Sequence, residues 1–204
     1  MHPPDQREHW DQRYREGNTP WETGQPSSFL QQTIAAERIA PCRALDLGCG
    51  SGIHSVWLAQ QGFEVTGLDL SPLAIDLARQ RAAAAGVRVE FLARDLLAPG
   101  SLGTTYEFFL DRGCYHIVRK LDRTAYLRNV ANWTAPGALG LVLTGNAREP
   151  QSPGPPVVTE EEFRAEWSGA FDVLWLREGR FDPGPRDTGP PPLAWAGLLR
   201  RRPN

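Results

Sequence analysis

The stretch ALDLGCGSG, residues 44–52, constrains the fold of this chain more than any other. A short apolar run enters three glycines, and helical spacing follows in GIHSVWLAQQG, residues 52–62. Gly48, Gly50 and Gly52 let the backbone bend tightly and approach a ligand closely. A strand that turns through glycines into a helix belongs to an open α/β sheet. Such sheets bind ligands at the carboxyl ends of their strands, near the point where strand order reverses.

The alternation continues along the chain. Strands are expected over 43–48, 64–70, 87–93, 106–111 and 138–144. Ser71 followed by Pro72 is an N-cap with proline at the first helical position, and that helix should stop at Gly86. Asp122 caps a helix running to Trp133, and Thr159 with Glu162 forms a capping box that opens another. FDVLWLRE and LAWAGLLRR close the chain as two strands with no helix between them, so the last is expected to be antiparallel. The fold class is therefore α/β: a Rossmann-like, mostly parallel sheet with helices on both faces. Two proline-rich stretches, 149–156 and 182–192, are loops, because proline breaks helices and central strands. A length of 204 residues suits one domain, with a leader over 1–40 and a core over 41–204.

The acids at the strand ends narrow the ligand. Gly48 and Gly50 fit the first two positions of a dinucleotide turn, but Ile53 stands where the third glycine belongs. Asp46 lies beside the turn, where its charge would repel a pyrophosphate and suits a cation. S-adenosylmethionine carries a sulfonium and an ammonium and no phosphate. Asp69, followed by Leu70, ends the second strand and can accept both ribose hydroxyls. Asp95, followed by Leu96, ends the third and can accept from an adenine amine.

This constellation resembles class I S-adenosylmethionine-dependent methyltransferases over residues 43–144. The resemblance implies a seven-stranded sheet with its last strand antiparallel, the methionine part on the glycine turn, the ribose at Asp69 and the adenine at Asp95. Three further segments resemble the thiopurine S-methyltransferase superfamily, with its halide and thiocyanate methyltransferases. They are HWDQRYREGNTPWETGQ from His9, DRG at 111–113 and PGPPVVTEEEFRAEW at 153–167. That likeness implies a leader folded over the cofactor. Trp10 and Arg112 would then lie on the cofactor side, and Trp21, Tyr14 and Tyr115 on the acceptor side. His54, just inside the helix after the turn, is read as a packing residue.

The reaction implied is methyl transfer to a small molecule at a soft heteroatom: a thiol, selenide, halide or thiocyanate. Such nucleophiles need no strong base. Methylation of nitrogen or oxygen on a heteroaromatic metabolite or antibiotic is the alternative, and there His116 and Asp111 are the candidate catalytic groups. A non-catalytic, cofactor-binding regulatory module is the rival from another class. The net charge of −2 argues against nucleic acid, and no apolar run approaches the roughly 20 residues of a membrane span. The N-terminus lacks a secretory signal, and three cysteines give no disulfide framework, so a cytoplasmic protein is expected; the oligomeric state is left open, with a monomer favoured. Cys114 and His116 form a C-x-H pair with no second pair at zinc spacing, so no metal is expected.

Overall fold

A computed structural model describes residues 3–149, 154–184 and 189–203. The chain opens with two helices, α1 (Pro3–Arg15) and α2 (Ser28–Ala36). The alternating core follows: β1 (Arg43–Leu47), α3 (Ile53–Gln60), β2 (Glu64–Asp69), α4 (Pro72–Ala84), β3 (Glu90–Ala93), β4 (Tyr106–Arg112), α5 (Tyr115–Trp133) and β5 (Thr134–Asn146). It ends with β6 (Val157–Val158), α6 (Glu160–Trp167), β7 (Phe171–Arg180) and β8 (Leu193–Arg201).

The strand order is β3-β2-β1-β4-β5-β8-β7, with β6 paired to the end of β5. Strands β1 to β6 pair in parallel, and β8 runs antiparallel to both β5 and β7. The antiparallel last strand agrees with the terminal hairpin pattern. The two-residue β6 makes eight strands where seven were expected. Order reverses at β1, between β2 and β4, which opens a crevice at the carboxyl ends of these strands.

Side chains alternate across the sheet and build a core on each face. Leu45, Leu47, Phe109, Val142 and Leu199 face one way, against Tyr126 and Trp133 of α5 and Phe163 and Trp167 of α6. Ala44, Phe108, Leu110, Leu141 and Leu143 face the other way, with Leu30 of α2 and Leu58 of α3. Trp167 anchors the first core, its ring 5.2 Å from Tyr115 and 5.3 Å from Phe171.

The local signals are realised where they were read. Ser71 accepts from the Ala74 N–H, and Thr159 and Glu162 form the reciprocal capping box. Asp122 caps its helix through the Ala125 N–H, but as a break (φ −153°, ψ 86°) inside the longer α5, which begins seven residues earlier. The strand expected over 87–93 is confined to Glu90–Ala93, at the sheet edge. The leader contains the helices α1 and α2. Parts of both proline-rich stretches, residues 150–153 and 185–188, lie outside the described residues.

Candidate active site

A cavity of about 760 Å³ occupies the crevice. Its floor is Gly48 after β1, Asp69 and Leu70 after β2, Asp95 and Leu96 after β3, and Arg112, Gly113 and Cys114 after β4. The leader closes one side through Trp10, Arg13, Tyr14 and Trp21. Pro155 and Pro156 before β6, with Phe181 and Pro190–Pro192 around the β7–β8 hairpin, close another.

The turn after β1 holds its shape through backbone and carboxylate together. Gly48 has φ +68°, and a Cβ there would stand 2.6 Å from the Cβ of Cys114, so both conformation and space demand glycine. Asp69 accepts from the Gly50 N–H at 2.8 Å and from the Ser71 N–H at 2.9 Å. Burial raises its carboxyl to about 6, partly offset by these two bonds. Asp95 accepts from the Leu97 N–H at 2.8 Å, which closes the loop after β3.

The leader aromatics form one cluster. The Trp10 and Trp21 rings meet edge to face with centroids 5.5 Å apart, and the Arg13 guanidinium lies 4.7 Å over Trp21. The indole N–H of Trp21 donates to the Tyr14 hydroxyl at 3.4 Å. That hydroxyl covers Gly50, where a Cβ would be 2.6 Å away, so Gly50 itself is not part of the cavity lining. Two leader carboxylates missed from sequence complete the docking. Asp11 accepts from the Ser71 hydroxyl and the Leu73 N–H, and Glu22 accepts from the Ser51 N–H.

Arg112 donates from Nη1 to the Trp21 carbonyl at 2.8 Å and stacks 4.9 Å over Phe181. Its buried Nε has no partner among the described residues. Burial lowers the guanidinium, while Asp182 and Glu22 act the other way. Phe181 and Asp182 were also missed, because they enter from a proline-rich loop with no local signature.

Three expected site residues face away from the cavity. Asp46 is buried behind the turn, accepting from the Ser55 hydroxyl of α3 at 2.6 Å. Burial raises it to about 7, so it offers no exposed charge to a ligand. Asp111 is fully buried and accepts from the Cys114 and Tyr115 N–H groups and the Tyr126 hydroxyl, which makes it the organiser of the turn into α5. Tyr115 is also fully buried, and its hydroxyl donates to Glu166, which Arg119 holds from the other side. It is therefore core rather than acceptor wall.

His116 does line the cavity, but not as a ready base. Its Nδ1 accepts from the Gly145 N–H at 3.0 Å, and burial lowers the ring to about 3. His54 lies outside the cavity lining, with its ring also lowered to about 3 by burial, in keeping with a packing role. Among the described residues no group of three or more His, Cys, Asp or Glu could hold a metal ion, and no helix is long and apolar enough to cross a membrane.

The arrangement has parallels among known proteins. The model of the thiopurine S-methyltransferase family matches residues 5–186. The 2-heptyl-1-hydroxyquinolin-4(1H)-one methyltransferase of Mycobacteroides abscessus is 31% identical over 71% of this chain, and the chain spans 65% of that enzyme's length. A thiopurine S-methyltransferase of Bordetella petrii is 29% identical over 83% of this chain and 84% of its own. A structure solved for the conversion of a disulfide bond into a thioacetal group during echinomycin biosynthesis superposes with a TM-score of 0.78. It shares 26% identity over 90% of this chain and 84% of that one.

Proposed function

The chain belongs to the thiopurine S-methyltransferase family, and from that premise we propose that it transfers a methyl group from S-adenosylmethionine to a small organic acceptor at a soft or ionised heteroatom. The observation that carries this reading is the single cavity joining the acid-lined strand ends to an apolar half. That half is walled by Trp21, Ile117, Val118, Phe181 and the prolines. A volume of about 760 Å³ is within the roughly 300–1,000 Å³ of small-molecule sites.

The residues present fit the cofactor. Asp69 and Asp95 sit at consecutive strand ends with oxygens able to accept from a sugar and a base. Arg112 has a buried nitrogen without a partner, suited to a carboxylate. When bound, S-adenosylmethionine supplies an electrophilic methyl group on a sulfonium. The chain's part is orientation and exclusion of water. The face of Trp10 favours a neighbouring cation, while Trp21 already carries the Arg13 guanidinium. In this reading the leader, residues 1–40, is a lid on a single domain whose core is 41–204.

The apolar half would be largely empty around a halide or thiocyanate and would be filled by a ring-sized acceptor, which narrows the acceptors expected from sequence. The relatives' names specify heteroaromatic acceptors, one a thiopurine and one an N-hydroxyquinolone, so oxygen methylation of an N-hydroxy heteroaromatic is the second reading. We place the protein in the cytoplasm, as a monomer without nucleic-acid or membrane partners. Incubation with S-adenosylmethionine and a panel of aromatic thiols, N-hydroxy heteroaromatics, halides and thiocyanate tests the proposal through S-adenosylhomocysteine release. Release with halides alone, or with none of the panel, would count against it.

A further inference from the structure

We propose that the Nε2–H of His116 is a fixed hydrogen-bond donor that holds an already ionised acceptor, so that the protein removes no proton during transfer. This rests on the reading of the cavity as a methyl-transfer site. A neutral imidazole has one N–H and one lone pair. The lone pair at Nδ1 is taken by the Gly145 N–H at 3.0 Å, which leaves the proton on Nε2. The tautomer is fixed by β5, because the Gly145 amide cannot turn. A Cβ at Gly145 would stand 2.4 Å from the Pro156 carbonyl oxygen, so the strand is clamped against the proline wall.

The ring also stays neutral. It is only 5% exposed, and the charges acting on it are cations, Arg112 from β4 and Lys120 from α5. Both oppose a third positive charge. Nε2 lies beside Gly113, 3.6 Å from where a Cβ would be, and both residues line the cavity. The Nε2–H makes no hydrogen bond among the described residues.

The His116 Nε2–H is therefore a donor without a partner on the cavity lining, separate from the Arg112 Nε–H that suits the cofactor's carboxylate. Asp182, on the same lining, is engaged by the Ser28 N–H. A neutral N–H donor whose other ring nitrogen is already engaged suits an anion, such as an aromatic thiolate or an oxyanion of low proton affinity. The anion's electron pair forms the new bond to carbon, the carbon–sulfur bond breaks with its pair kept by sulfur, and no proton is transferred.

Nitrogen NMR of histidine-labelled protein tests the tautomer directly, with the His116 signals assigned by their loss in His116→Phe. From about pH 5 to 9, Nδ1 should remain unprotonated and Nε2 protonated. A protonated Nδ1, or a ring titrating in this range, would overturn the proposal. The probe for the second arm is 4-nitrothiophenolate added to protein saturated with S-adenosylhomocysteine. It should shift the Nε2–H resonance, and its Kd should rise about 10- to 100-fold in His116→Phe. His116→Gln should recover most of that affinity, because its amide can accept from Gly145 and donate to the anion. An unshifted Nε2–H, or equal affinity in wild type and both variants, would also overturn it. Near-ultraviolet circular dichroism identifies a misfolded Phe variant, in which case wild type and His116→Gln decide. Failure to bind S-adenosylhomocysteine would instead strike the cofactor reading, which the tautomer measurement does not touch.

Discussion

Glu22 of the leader accepts a hydrogen bond from the backbone N–H of Ser51, 3.3 Å away, at the centre of the glycine-rich turn. With Tyr14 over Gly50, it docks the leader on the turn after β1. A bound ligand should therefore steady a segment that is already docked. Hydrogen exchange over residues 8–25 should slow when S-adenosylhomocysteine is added, and Glu22→Ala should exchange faster than wild type in both states. Identical exchange with and without ligand would mean that the aromatic cluster is only a structural anchor.

Asp11 tests the other end of the same docking. It reinforces the N-terminus of α4 through the Ser71 hydroxyl and the Leu73 N–H. Losing a cap costs about 1 kcal/mol. Asp11→Ala should lower Tm by roughly 2–4 °C, measured by calorimetry. An unchanged Tm would show that α1 contributes nothing through this contact.

Asp69→Ala should weaken S-adenosylhomocysteine binding by about 1–3 kcal/mol, read by titration calorimetry. The same change frees the Gly50 and Ser71 N–H groups, so some global stability should be lost with it. Asp69→Asn retains one acceptor oxygen and should fall between the two proteins on both scales. Equal affinity in all three would remove Asp69 from the cofactor site.

Stability should depend on pH through the buried acids. Asp46, Asp69 and Asp111 stand at about 7, 6 and 6 in the folded protein, chiefly through burial. Above about pH 4 the folded state therefore holds more protons than the unfolded chain. This contribution is complete below that pH and is lost as pH rises through 6 to 7. His54 and His116, lowered to about 3, act in the opposite sense: their contribution is present above about 6.5 and is lost as pH falls toward 3. Asp46→Asn removes one of the acid contributions. Its urea midpoint should fall less than that of wild type between pH 5 and about pH 8. A fall as large as in wild type would show that Asp46 is ionised in both states.

Gly48→Ala combines two penalties. The left-handed backbone costs an L-residue roughly 1–2 kcal/mol, and the contact with Cys114 adds about 1–3 kcal/mol of overpacking. Urea unfolding should show the sum, and S-adenosylhomocysteine affinity should fall because the turn cannot hold its shape. A loss below about 1 kcal/mol would mean that the turn relaxes away from Cys114.

Much of the scaffold was legible in the residues themselves, because the signals involved are local. The glycine turn, the Ser71–Pro72 start of α4, the Thr159–Glu162 box and the terminal hairpin each depend on dihedral preferences and hydrogen bonds within a few residues. So did the acids at the ends of β2 and β3, since a strand followed by a turn exposes its last side chain to the crevice. What only the tertiary structure decided is which neighbour each side chain meets. Asp111 and Arg112 are adjacent, yet the pleat sends Asp111 to the Tyr126 side and Arg112 to the Phe181 side. The same alternation takes Asp46 to Ser55 and away from the cavity. The polar helix α1 has no apolar stripe to announce it and is held by contacts made far along the chain, at Ser71 and Leu73. Tyr115 and His116 depart from their expected roles for a similar reason. The first finds Glu166 on α6, packed on the same face of the sheet, and the second finds the backbone N–H of Gly145, 29 residues away.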